Sequence, residues 1–100
     1  SYMGIPPARM HLFWSKDPQQ IDIQSDKAYI IHQTLSFGTL DDIAWLRTIY
    51  PIDEIRSVFI SQPIKVYTPS AYVFSKRLLG VSDGDAPGYH YDKTLPRHIG

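Results

Sequence analysis

Apolar residues return every three or four positions in four stretches of the chain, the spacing of helices that each bury one face. In the first, Ala28, Ile31 and Leu35 stand at i, i+3 and i+7, Ser25 or Asp26 can cap the start, and Gly38 sits where a left-handed residue would end it. Thr39 and Asp42 then have the spacing of a capping box, with Asp41 and Asp42 both near the positive helix end. Ile43, Leu46 and Tyr50, widened by Trp45 and Ile49, give the second helix the broadest apolar face and predict it to be the most buried. Pro51 stops that helix and opens the third, in which Asp53 is the expected cap, Ser61 the end, Ile52, Ile55 and Phe59 the inner side, and Arg56 and Ser57 the outer. Thr68 and Pro69 start the fourth. Ala71, Phe74 and Leu78 should face inward, Ser70, Val73, Lys76 and Arg77 outward, and Gly80 should close the helix.

The flanks are less regular. Pro6 and Pro7 favour one or two helical turns from Ala8 to Trp14, halted by Asp17 and Pro18, and Ile21 and Ile23 alternate with polar residues too briefly to define a strand. Residues 62–67 read as an irregular or briefly extended connection, and VSDGDAPG at 81–88 has the composition of a linker. Beyond it Tyr89, His90, Tyr91, Leu95 and Ile99 make a segment too apolar for a solubilising tail, which either folds back over the helices or lies in a groove of a partner or a second copy. The expected architecture is all-α: a small single-core bundle of four to five short helices with an extended C-terminal tail. An N-terminal arm covers 1–7, the helical domain 8–80, and the linker and aromatic tail 81–100. Ile31, Leu35, Leu46, Phe59 and Phe74 should share one cluster, with Trp14 and Trp45 also in the core.

Composition then removes chemistry. With 100 residues the chain is one domain with little surplus for a deep cleft, and the lack of any Cys excludes disulfides, thiol nucleophiles and Cys-bearing zinc sites. His11, His32, His90 and His98 include no i, i+4 pair for a metal, and adjacent Asp41 and Asp42 diverge by about 100° on a helix, so they cannot flank one substrate bond. Gly80, Gly84 and Gly88 lack the ending of a phosphate loop, and Asp83 and Asp85 would repel a phosphate. No catalytic residue, metal or cofactor is expected. No apolar run is long enough for a membrane span and the start has no signal-peptide pattern, so a cytoplasmic protein is expected.

Ten cations balance ten acids, yet they are segregated. Seven acids face two cations between Asp17 and Glu54, whereas Ile55 to Ser82 holds Arg56, Lys65, Lys76 and Arg77 and no acid. Such segregation marks either solvated faces or interaction surfaces.

Leu12-Phe13-Trp14, the run YIIHQTLSFGTLDDIAWL from Tyr29 to Leu46, Tyr50, Ile55, Thr68-Pro69, Phe74 and Leu78-Leu79-Gly80 together resemble a small bacterial domain family of unknown function, often encoded beside nucleotidyltransferase toxins of the abortive-infection type and regarded as antitoxin-like. The likeness covers about residues 10–80; Ser15, Gln33 and Ser75 depart from its pattern. It implies a non-enzymatic protein that masks a toxin. Asp22, Asp26, Asp41, Asp53 and Glu54 would then cover a basic cleft while Tyr89, Tyr91, Leu95 and Ile99 supply apolar anchors, with self-association through the tail a further option. The alternative is DNA binding, with the third and fourth helices as a helix-turn-helix pair and Arg56, Lys65, Lys76 and Arg77 on phosphates; the connection between them is longer than that motif uses.

Overall fold

Every long element packs against the first long helix. The structure, a computed structural model, describes residues 5–17 and 20–95. A 3₁₀ segment (Pro7–Phe13) precedes α1 (Lys27–Phe37), α2 (Leu40–Ile49), α3 (Ile52–Ser61) and α4 (Pro69–Leu79), and a short 3₁₀ turn (Gly88–His90) follows. The described residues contain no strand, and Tyr67 and Asp92 form an isolated parallel bridge. The protein is an all-α bundle, as the apolar spacing predicts.

The most buried helix is α1 rather than α2. It touches the 3₁₀ segment, α2, α3 and α4, and buries Ile30, Ile31, His32, Gln33, Thr34 and Leu35 without interruption. Three of those six are polar, so the sequence pattern understates the burial. Each has its partner: Gln33 Nε2 donates to the Leu12 carbonyl at 2.8 Å and Thr34 Oγ1 to the Ile30 carbonyl at 2.8 Å, while His32 bonds through both ring nitrogens.

The turn from α1 to α2 is built as its residues suggest, with one exception. Thr39 and Asp42 complete a capping box, and the Asp42 carboxylate also pairs with Arg9 of the 3₁₀ segment. Burial works against the charged form, but the Thr39 N–H and the Arg9 guanidinium outweigh it and hold the Asp42 carboxyl below its ordinary range. Gly38 is extended, with φ −82°, not left-handed. It is glycine for space: a Cβ there would lie 2.6 Å from the Thr34 carbonyl oxygen and 2.8 Å from Asp42 Cβ. Gly80 does take the left-handed conformation, φ 67°, that ends α4. Helix α3 begins at Ile52 behind Pro51, which places Asp53 and Glu54 within its first turn instead of Asp53 at the cap.

Ile31, Leu35, Leu46 and Phe59 meet in one core as expected, but Phe74 is 39% exposed. Trp14 is 62% exposed, its indole edge-on to the Phe37 ring at 4.8 Å, while Trp45 is half-buried against Phe13. Ile5, assigned to the arm, is buried in the core.

The segment after Gly80 is corrected most. Ala86, in the expected linker, is wholly buried, and Tyr91 is 1% exposed. The Tyr91 hydroxyl donates to the Phe59 carbonyl, the Tyr72 hydroxyl donates to the Ala86 carbonyl, and the backbone of 91–93 exchanges two 2.9 Å hydrogen bonds with Tyr67. The fold-back option is the one found for residues 86–92. A core of roughly 80 residues closes poorly by itself, and these residues supply its last wall.

Candidate docking surface

The residues expected to meet a partner are mostly engaged within the chain. Asp26 receives a 2.8 Å hydrogen bond from Lys16 and a 3.0 Å one from the Asp22 N–H, which together hold its carboxyl below the ordinary range. Asp22 accepts from the Gln24 N–H and the Ser25 hydroxyl, Asp53 pairs with Arg56, and Glu54 with Lys27. Asp41 stands exposed on the first turn of α2. The acidic face is thus largely neutralised by the chain's own cations and turns.

Of the basic set, the Arg56 guanidinium donates through Nε to the Leu79 carbonyl at 2.6 Å and through Nη1 to Asp53, tying α3 to the end of α4 where an outward polar side was expected. Lys76 pairs with Asp83, a hydrogen bond that raises its pKa, and lies 4.2 Å from the centre of the Tyr72 ring. Lys65 is half-buried on the 62–68 connection and Arg77 is exposed on α4.

The tail anchors divide. Tyr91 belongs to the core, so its ring is not offered to a partner; Tyr89 is half-buried with its ring 4.4 Å from His90; Leu95 is exposed. Ile99 lies outside the described residues.

Around Tyr91 the rings of Phe59, Tyr67, Tyr72 and His32 gather, Phe59 stacked at 4.6 Å and Tyr72 at 5.7 Å. His32 Nε2 is 2.7 Å from the Gln62 carbonyl, which can only accept, so Nε2 carries the proton and Nδ1 accepts from the Tyr67 hydroxyl, also at 2.7 Å. Burial pushes the imidazole pKa down to about 4, against the smaller opposing pull of the Gln62 carbonyl, and pushes Tyr67 well above its ordinary value and Tyr91 to about 12. His32, Tyr67 and Tyr91 are therefore neutral at pH 7, and the cluster's polar atoms serve the fold itself. The cluster is closed structure, its rings packed on one another and the polar atoms of His32, Tyr67 and Tyr91 bonded to one another or to the backbone. Among the described residues no group of His, Asp and Glu could hold a metal ion, and no helix is long and apolar enough to cross a membrane.

One open part of the surface is apolar. Two shallow, adjoining grooves share Ser70 and Phe74: one runs along the outer side of α4 over Pro69, Val73 and Arg77, the other lies between α4, the end of α1 and the start of α2, over Leu35, Leu40 and Ile43. Leu40 is 73% exposed and Val73 40%. Most hydroxyls lining it already serve the fold: Ser36 donates to the Val66 carbonyl, Thr39 closes the capping box, and Thr68 caps α4 by accepting the Ala71 N–H. Sequence reasoning placed Phe74 inside and did not single out Leu40 as a surface residue. The available signal was Val73, an apolar side chain in a face otherwise polar, and Leu40, which falls off the Ile43, Leu46, Tyr50 side of its own helix.

A family of unknown function, DUF6922, matches residues 8–59, which contain all but the first residue of the 3₁₀ segment, α1, α2 and most of α3. Comparison with curated proteins and with solved structures gives no match. The match spans just over half of the 100 residues, and the chain belongs to the DUF6922 family.

Proposed function

We propose that this chain is a non-enzymatic, antitoxin-like protein-binding domain of the bacterial cytoplasm that docks through the α2–α4 groove and masks a nucleotidyltransferase-type toxin encoded nearby. The observation that carries the docking reading is the contrast on the surface: Leu40, Val73 and Phe74 lie open side by side while most of the charged residues expected to bind are paired internally. A contiguous apolar patch on a small domain is the mark of a protein interface. The partner class comes from the likeness to antitoxin-like domains. The helix-turn-helix alternative needs α4 to present a polar, basic side to a groove of DNA, and its outward residues are Pro69, Ser70, Val73, Phe74 and Arg77.

Co-expression with the product of a neighbouring nucleotidyltransferase gene tests the proposal. The pair should co-elute in size-exclusion chromatography with the toxin silenced, and Leu40→Glu with Val73→Glu should separate them and restore toxicity. No complex, or one indifferent to both substitutions, overturns it. A mobility shift of the chain's own promoter at low salt would favour the DNA reading.

A further inference from the structure

We infer that the occupant of the α2–α4 groove is an acidic amphipathic helix of a protein, its apolar side on Leu40, Val73 and Phe74 and its carboxylates on Arg47 and Arg77; this rests on reading the groove as the docking surface. Arg47 follows Ile43 by four residues, and Arg77 follows Val73 by four and Phe74 by three. Each arginine therefore stands one turn further along the same helix side than an apolar residue that lines the groove. Both are exposed, and neither side chain pairs with another described residue. Five other cations, Arg9, Lys16, Lys27, Arg56 and Lys76, are each held by a carboxylate, and of those without one among the described residues Lys65 lies on the 62–68 connection and Lys93 sits over the Phe37 ring.

No carboxylate lines either groove. Asp42 is buried and committed to Arg9, and Asp41 lies about 100° around α2 from Leu40, on the side away from Ile43. The surface thus combines an apolar floor with two guanidinium groups, whose planar donors suit carboxylates in pairs. A second copy of the chain fits poorly, because a two-fold contact would set these cations against each other with no acid on the face to meet them. A small polar ligand also fits poorly, since most groove hydroxyls are already bonded.

The test uses two synthetic helical peptides of about 18 residues with the same leucines at i, i+3, i+4 and i+7, one flanked by Glu and the other by Lys, titrated into the ¹⁵N-labelled chain. The Glu peptide should move the amides of Leu40, Ile43, Val73 and Phe74 and bind about tenfold more tightly at low salt, a difference of one well-placed charge contact. Arg47→Glu with Arg77→Glu should reverse that preference. Equal or tighter binding of the Lys peptide overturns the inference. So do shifts confined to another surface, a DNA duplex that moves the same amides when the Glu peptide does not, or a dimer with the groove covered. The co-expressed complex separates this failure from that of the docking reading. A complex lost with Val73→Glu but indifferent to the arginine reversals leaves docking standing and removes the acidic helix; a complex indifferent to all of them removes both.

Discussion

Helix α4 carries apolar side chains on two sides, and the two have opposite fates. Inward, Tyr72 stacks on Tyr91 and bonds the Ala86 carbonyl, and Leu79 is wholly buried. Outward, Val73 and Phe74 lie open, and the charged residue beside them, Arg77, has no partner among the described residues. The inward side is closed because a later segment brings hydroxyls and carbonyls that satisfy one another as they are buried. Stability therefore resides with the C-terminal segment and the aromatic cluster, and the capacity to bind resides with the side that segment leaves uncovered.

The contrast is sharpest at Tyr91. Tyr91→Ala removes a ring packed against Phe59, Tyr67 and Tyr72 and leaves the Phe59 carbonyl without its donor, which should cost about 3 to 5 kcal/mol. Phe74→Ala, on the open side, should cost about 1 kcal/mol. Urea unfolding of the two variants measures both; equal losses would erase the distinction between the sides.

Acid should weaken the closed side in a defined window. The unfolded His32 takes up its proton near the ordinary 6.5, whereas the folded one resists until about 4. Between those values the unfolded state binds more protons, so stability present above pH 6.5 is lost as the pH falls toward 4, by roughly 3 kcal/mol in all. Asp26 and Asp42, whose pKa values are also lowered on folding, stand in the same relation to their unfolded values, but their contribution is lost in a more acidic window, as the pH falls through about 3.8 and below. Unfolding measured at pH 7 and pH 4.5 should show the histidine loss alone, and His32→Gln should flatten it. An unchanged midpoint in the wild-type chain would show that His32 is not held neutral by burial.

The competition between those sides also explains what the sequence discloses. Helix existence, the Thr39 capping box, Gly80 and Thr68-Pro69 follow from local chemistry and are legible in order along the chain. Which side of α4 faces inward is not local. Ala71, Phe74, Leu78 and Tyr72, Ser75, Leu79 have identical spacing, and the second set reads as the poorer one because of its serine. The structure chooses the second set because Tyr91, some twenty residues further on, needs Tyr72 beside it. A segment whose composition reads as a linker thus decides the orientation of a helix, and with it the position of the groove. The burial of α1 was obscured in the same way, since His32, Gln33 and Thr34 take their partners from other parts of the chain or from the helix backbone.

Ser75 is the flaw in the closed side and gives a smaller effect of opposite sign. Its Oγ is buried with no hydrogen-bond partner among the described residues. Ser75→Ala removes an unpaired hydroxyl and substitutes a better helix former, and should stabilise by about 1 kcal/mol, raising Tm by about 4 to 8 °C. A drop in Tm would mean that the hydroxyl is bonded.

The smallest effect on stability should come from the open side, and there it is most informative. Leu40 is 73% exposed in the first turn of α2, where a carboxylate meets the positive end of the helix, and Val73 is 40% exposed in the middle of α4, where Glu is the better helix former. Leu40→Glu and Val73→Glu should therefore each change unfolding free energy by no more than about 0.5 kcal/mol. The same two substitutions put negative charge on the apolar floor, and should weaken capture of the partner by about a hundredfold or more. Calorimetric unfolding beside a binding titration gives both numbers for each variant. If stability fell by about 2 kcal/mol or more, the groove would be part of the core and its apolar residues would need no partner to explain them.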